Sequence, residues 1–472
     1  MFFKILSAGL LLAALLGGAR AVSTVKTDKP LVPPDLYFEF KEVPPANNGI
    51  INWRRAGEVM VRPTEKVRTA AKYCWAPGER QPDGETLADL QHWLNQNQEA
   101  LRLFAESLQK PRMQWPMHDP NQIVPEYQAL GNLILARLLE ADHLAEAGHY
   151  REATRSLADS LRMTQCGVEG DASITEYLIA GLARERVQEA ILRLAGRRQT
   201  PVTCLKQLLE DLPELDAETN AYAHILRVDF TIYNYATYDI RHVSENWSKI
   251  AVTNLAMFIF PEELRRPFKV LLDPSLVAQH PLPLDAVSNM KSDTRHFRIF
   301  RTNALGAWTN RNALVEDERE ETRGKLMEDI QPLMELVRDE SLPLSRHAAQ
   351  RAREAYLKIE NPVGRILGLS ALAENGTRIF RYRTGRAATR TVLALLIFER
   401  QKGRFPAGLA DLVDAGILHR VPTDPFSGGP MLYSRKRQIV WSVGQNGTDE
   451  QGLGTAFHFV GDDAVWKISE LN

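Results

Sequence analysis

From about residue 52 to residue 375, apolar side chains recur at the spacing of one helical face. Between Glu85 and Gln109 the positions Leu87, Leu90, Trp93 and Leu94 fall at i, i+3, i+4 intervals, which predicts an amphipathic helix. A second run extends from Val124 through Leu161. It is broken only at Ala147-Gly148-His149-Tyr150, a sequence that predicts a tight turn between two antiparallel helices. Further helices are expected at about 172–196, 217–240, 246–258, 296–315, 325–338 and 346–374. Pro274, Pro281 and Pro283 mark a division of this body into two helical parts, 51–275 and 276–375. The charged run Glu316 to Arg323 reads as the solvated face of a helix.

After Asn375-Gly376 the pattern changes. Thr377 to Gln401 predicts one long helix, with Arg383, Arg386 and Arg390 along one face and Ala388, Val392 and Leu396 on the other. Its last two turns are apolar nearly all round, so this end should be buried on several sides. Gly403 suits a left-handed position just past the helix. Leu409 to Ala415 fits a short helix. Met431-Leu432-Tyr433 and Ile439-Val440-Trp441-Ser442 have strand composition and flank the polar turn Ser434 to Arg437, which predicts a hairpin. A last strand is expected at Ala464 to Ile468. The fold class is mainly α: a large irregular body of helical hairpins, followed over 376–472 by a small α+β unit.

The N-terminal 21 residues read as a secretory signal peptide. Lys4 precedes an apolar stretch from Ile5 to Leu16, and Ala19-Arg20-Ala21 places small residues at a cleavage site. The stretch falls short of the roughly 20 apolar residues of a membrane span, and none is expected after cleavage. Residues 22–50 form a leader rich in proline (Pro30, Pro33, Pro34, Pro44, Pro45). A periplasmic or secreted protein is the expectation. With 58 basic against 59 acidic residues, the chain lacks the concentrated positive charge that nucleic acid requires. Cys74, Cys166 and Cys204 are too few for a disulfide framework and follow no zinc-ligand spacing, though one bridge among them is permitted.

Gly148-His149-Tyr150-Arg151-Glu152-Ala153, with Ala141 upstream, resembles the turn and second helix of a tetratricopeptide repeat. No second copy follows at the period of about 34 residues, and an irregular helical domain is the expectation. The C-terminal unit carries a more specific resemblance. A long helix ending in Lys402-Gly403-Arg404-Phe405-Pro406 leads to the turn Asp424-Pro425-Phe426-Ser427-Gly428. A hairpin follows, and then the loop Ser442-Val443-Gly444-Gln445-Asn446-Gly447-Thr448-Asp449. In this order, from roughly Arg386 to Ile468, these features resemble the globular part of the major pseudopilin of type II secretion. The whole layout also looks like a group of large secreted planctomycete-type proteins, a resemblance that implies no activity.

The pseudopilin resemblance implies a calcium-binding loop. Asn446 stands where that family has an aspartate, and Asp462 or Asp463 stands near its second acidic ligand. Asp449 would replace charge lost at Asn446, and carbonyl oxygens near Ser442 and Val443 would complete the set. Calcium takes hard oxygen ligands in flexible geometry, which suits a glycine-rich loop. The alternative is that Asn446-Gly447 and Gly461-Asp462 are ordinary turn residues. That family joins a prepilin-type signal directly to its polymerising helix; here the leader reads as ordinary secretory type and the related helix lies near residue 390, so a pilus-like polymer formed in that way is not expected.

Catalytic patterns are sparse. Glu140 and His143 form an ExxH pair, but a di-iron site needs two such pairs plus two further glutamates from facing helices. Gly368-Leu369-Ser370-Ala371-Leu372 lacks the final glycine of a nucleophile elbow, and Gly452-Leu453-Gly454 does not continue into a dinucleotide fingerprint. The aromatic residues Tyr222, Phe230, Tyr233, Tyr235 and Tyr238 read as a helix–helix seam, or as a binding groove where exposed. The expected role is a non-enzymatic scaffold or interaction protein of the envelope, near secretion machinery and with a protein partner. The rival is an extracytoplasmic hydrolase with a site between helices, which a deep pocket of convergent carboxylates would favour.

Overall fold

In the computed structural model, residues 42–76, 79–115, 125–169, 174–212, 370–454 and 463–470 are described, together with Ala172 and Val228. The signal segment, most of the leader, Pro274 to Pro283, the charged run 316–323 and the aromatic cluster lie outside them. So do Asp462, the side chain of Cys166, and the helices expected between 217 and 369 apart from Val228. Helix makes up 62% of the described part and is joined by one three-stranded sheet, a mainly α fold.

The first helix begins at a polar knot. The side chain of Asn48 accepts hydrogen bonds from the backbone N–H of Ile50 (3.1 Å) and of Gln114 (3.0 Å), and donates to the Gln114 carbonyl (2.9 Å). It therefore caps α1 (Gly49–Val59) while tying it to the strand-like segment beyond α4. Gly49 is required there, because a Cβ would lie 2.5 Å from the Ser107 carbonyl oxygen. Next come α2 (Glu65–Ala70), capped by Thr64, with a 3-10 turn at Ala71–Cys74, and α3 (Gly84–Gln96), capped by Asp83.

The helix expected over 85–109 is divided in two. Asn97, fully buried, accepts from the Val61 amide (2.8 Å) and donates to the Trp93 carbonyl (2.8 Å), ending α3 and starting α4 (Gln98–Ser107). An asparagine side chain that takes over backbone groups in this way competes with the helix ladder.

Helices α5 (Pro125–Glu146) and α6 (Tyr150–Glu169) form the expected hairpin, with Gly148 at φ +82° in its turn. Helix α7 (Ile174–Gly196) lies against both, α8 (Val202–Asp211) folds back onto α6, and α1 pairs with α4 across α5. The long helix α9 (Ser370–Lys402) then packs against α7 and α8. Its C-terminal turns from Val392 to Ile397 are buried on all sides, as expected, and Gly403 leaves the helix at φ +70°. The arginine face is buried too. Arg386 is 1% exposed.

Two further arginines of α9 close the ends of other helices. Arg400 donates to the carbonyls of Ala195 (2.6 Å), Arg197 (2.9 Å) and Thr200, at and just beyond the end of α7. Arg390 donates to the carbonyls of Leu209 (3.1 Å) and Leu212 at the end of α8. The last carbonyls of a helix have no partner within it, so buried helix ends need such donors. Midway along the seam the Tyr382 ring crosses α7 at Gly181 and donates its hydroxyl to the Leu178 carbonyl (3.3 Å).

Beyond the short helix α10 (Ala410–Asp414), β1 (Leu432–Ser434), β2 (Ile439–Ser442) and β3 (Ala464–Lys467) form an antiparallel sheet in the order β1-β2-β3. The register pairs Tyr433 with Val440 and Trp441 with Val465. Strand β2 packs on α9, and a single hydrophobic cluster runs from Ile50 in α1 to Ile468 after β3. Among the described residues no helix is long and apolar enough to cross a membrane.

Gly181→Ala would place a methyl group 2.1 Å from the Tyr382 ring, so it should cost about 1–3 kcal/mol by denaturant unfolding of the full chain. Arg400→Met, which strands three carbonyls, should cost a similar amount, about 1–3 kcal/mol. Changes within about 0.5 kcal/mol would show that neither contact holds α9 in place.

Candidate functional site

The C-terminal loops are organised by Asp424, which is fully buried. One carboxylate oxygen accepts from the Phe426 amide (3.0 Å) and the Ser442 hydroxyl (2.7 Å). The other accepts from the Ser427 hydroxyl (3.1 Å) and the Val443 amide (3.2 Å). Four donors thus hold one carboxylate, and they join the Asp-Pro turn to the end of β2. The following loop closes on its own side chains. Asn446 accepts from the Thr448 amide (2.8 Å) and donates to Glu450 (2.6 Å), while Asp449 accepts from the Trp441 indole (3.0 Å) and the Gln451 amide (2.8 Å). Arg437 donates to the carbonyls of Gln451 (2.5 Å) and Gly452 (2.6 Å), with its guanidinium 5.9 Å from the centre of the Trp441 ring.

This folding brings Glu450 beside Asp463. Asp463 is fully buried and accepts from the Gly452 amide at 2.6 Å through Oδ2. Its Oδ1 and the Glu450 Oε2 are both shielded from solvent and accept from no donor group, and the two carboxyls lie within hydrogen-bonding reach of each other. Burial raises the Asp463 carboxyl, the Gly452 amide opposes that shift, and the adjoining Glu450 carboxyl adds to it. Two acids pressed together out of water either share a proton or take a cation between them. Among the described residues no guanidinium or ammonium forms an ion pair with either.

The sequence-derived ligand set is therefore distributed unevenly. The Ser442 hydroxyl and the Val443 amide serve Asp424, and both ends of the Asn446 amide are engaged within the loop. Asp449 is exposed and holds Trp441, Asp462 lies outside the described residues, and Asp463 has a free oxygen. Glu450, which no motif singled out, supplies the second. The pair suits a hard divalent cation in charge and donor type. Among the described residues no three His, Cys, Asp or Glu side chains converge. The remainder of the six to eight or so oxygens around calcium would be main-chain carbonyls or water.

Elsewhere the candidate groups of the sequence are engaged within the helical body or exposed. Glu140 accepts from Ser156 (2.6 Å) and pairs with Arg137, while His143 is exposed, so the ExxH pair is split between an ion pair and solvent. Cys74 and Cys204 are free, buried thiols. A cleft between the 3-10 turn, α5 and α7, lined by Cys74, Asp142, Ala190 and Arg193, has room for one water-sized group. Asp142 accepts from Arg197 at 2.6 Å through Oδ1, and its Oδ2 has no partner. Burial pushes the Cys74 thiol well up, which suppresses the thiolate a nucleophile requires. Among the described residues Asp142 is the carboxylate that lines this cleft.

No protein-family model, curated protein or solved structure matches this chain, so function is argued from the sites themselves.

Asp424→Asn would turn an NH2 group toward a backbone N–H whichever way the amide is placed. It should destabilise the C-terminal unit by about 2–4 kcal/mol, and Ser442→Ala by about 1 kcal/mol, measured by denaturant unfolding. Equal effects of the two would remove Asp424 from its central place.

Proposed function

We propose that this protein is an extracytoplasmic, non-enzymatic scaffold whose helical stack engages an envelope or secreted protein partner near secretion machinery. Its pseudopilin-like C-terminal unit acts as a cap fastened by a divalent cation. The observation that carries the cation is the Glu450–Asp463 pair, a half-buried and a fully buried carboxyl, each with a shielded oxygen that no donor reaches. Calcium is the ion of choice, because the donors are hard oxygens in an irregular loop and nothing imposes the strict octahedron of magnesium. Asp463 and Glu450 would hold it, with carbonyls near Ser442 and Val443 and the neighbouring Asp462 completing the set. Its chemistry there would be structural: it replaces repulsion between two acids with attraction to both. The export reading is supported by the pattern of residues 1–21.

Thermal unfolding of the mature protein in calcium, in magnesium and in chelator tests the cation. At a hundred times its dissociation constant, calcium should add about 2.7 kcal/mol. The combined Glu450→Gln and Asp463→Asn variant should lose this response and melt above the parent in chelator, because the repulsion is gone. Identical melts of the parent with and without calcium would refute the fastened cap. Export is checked separately: a reporter active only in oxidising compartments should become active when fused behind residues 1–21, and stay silent when Ile5 to Leu16 are deleted.

A further inference from the structure

Arg186 on α7 lies with its guanidinium 5.7 Å from the centre of the Trp75 ring, at the edge of the 3-10 turn. Both side chains are half-buried. Among the described residues no carboxylate lies within ion-pair distance of Arg186. Two acids of its own helix are close enough to act on it electrostatically, yet neither neutralises it. Glu185 is bound to Arg381 of α9 at 2.7 Å. Glu189 is half-buried, and burial, with Glu185 beside it, pushes its carboxyl up to about 8, so near neutral pH it is mostly the uncharged acid. Burial also lowers Arg186 itself, and Arg68 of α2 lies close enough to add to that shift. A partly desolvated cation on an aromatic ring, with a second cation near it and no ion-paired acid among the described residues, is an unfavourable arrangement that an anion would relieve.

The geometry points to a carboxylate-binding subsite at Arg186, Arg68 and Trp75, on the face of the stack formed by α2, the 3-10 turn and α7. A guanidinium matches a carboxylate with two parallel N–H donors, whereas an ammonium would offer only a point charge. The Trp75 ring supports the guanidinium from one side. Glu189, when protonated, supplies an O–H donor rather than a competing charge. The ligand is a carboxylate, carried either by a small organic acid or by an acidic side chain of a peptide. This subsite is independent of the Glu450–Asp463 pair and needs no cation there.

The test is calorimetric titration of the full chain with succinate and, separately, with a short peptide of glutamates blocked at both ends. At least one should bind at pH 6.5, and Arg186→Gln should weaken it about tenfold or more. Arg151→Gln, an exposed arginine on α6, should leave affinity unchanged. Arg68→Gln, on a different helix, should weaken binding by a smaller factor, which keeps the test open if the Arg186 variant fails to fold. Affinity should fall as pH rises through about 8, where Glu189 ionises among Glu185 and Arg186 of its own helix and Arg381 of α9. Glu189→Gln should bind with that pH dependence removed. Succinate binding alone would assign a free organic acid, and peptide binding alone an acidic segment of a partner. No binding of either, or equal losses in Arg186→Gln and Arg151→Gln, would overturn the subsite.

Discussion

The architecture depends on two arginines of α9 that finish helices far away in the chain. Arg400 supplies donors to the end of α7 from 205 residues away, and Arg390 does the same for α8 from 178 residues away. Those carbonyls lie under a packed helix, out of reach of enough water, so without the arginines they would remain unpaired. The apolar end of the same helix is the floor on which β2 rests. Helix α9 is therefore a shared spine: one side completes the hairpin stack and the other carries the sheet. Contacts of such long sequence separation carry a loop-closure cost that the packing around α9 must offset.

Charged side chains divide into two populations by what lies within reach. In the helical body several shielded acids find a guanidinium: Glu140 has Arg137, Asp142 has Arg197, and Glu185 has Arg381. In the C-terminal unit Asp424 is satisfied by four uncharged donors, while Glu450 and Asp463 face each other. An internal ion pair costs desolvation but leaves no site for an outside ion, whereas a carboxyl pair without a counter-charge does. Arg186 is the complementary case, a cation on an aromatic ring that forms no ion pair among the described residues.

Local patterns foretold local structure well. The hairpin at Gly148, the limits of α7, the burial of the α9 terminus, the left-handed Gly403 and the β1–β2 hairpin all follow from periodicity and turn chemistry. What escaped notice was set by distant partners. Asn97 reads as one more polar residue on a helix until Val61 arrives to use its side chain. Arg390 and Arg400 look like solvated charges until α8 and α7 present their carbonyls. Asp424 announces itself as a turn former before proline, yet its hold on Ser442 and Val443 crosses 18 and 19 residues. Asp463 was indicated by the resemblance and position of its loop. Glu450 carried no spacing that marked it, since its significance arises only when β3 brings Asp463 alongside.

The loop between β2 and β3 has one more property, set by Arg437. Its two donors fix the carbonyls of Gln451 and Gly452, consecutive residues at φ +61° and +71°, and its guanidinium lies near the Trp441 ring. A chain held in that unusual geometry by the hairpin turn is already shaped before any ion arrives. Glu450 precedes the fixed pair, and the amide that orients Asp463 belongs to its second member, so the hairpin sets where both stand. The entropy of arranging the loop is lost at folding, not at binding. The proposed cation would then meet a preformed pair of acids rather than having to order a loose segment.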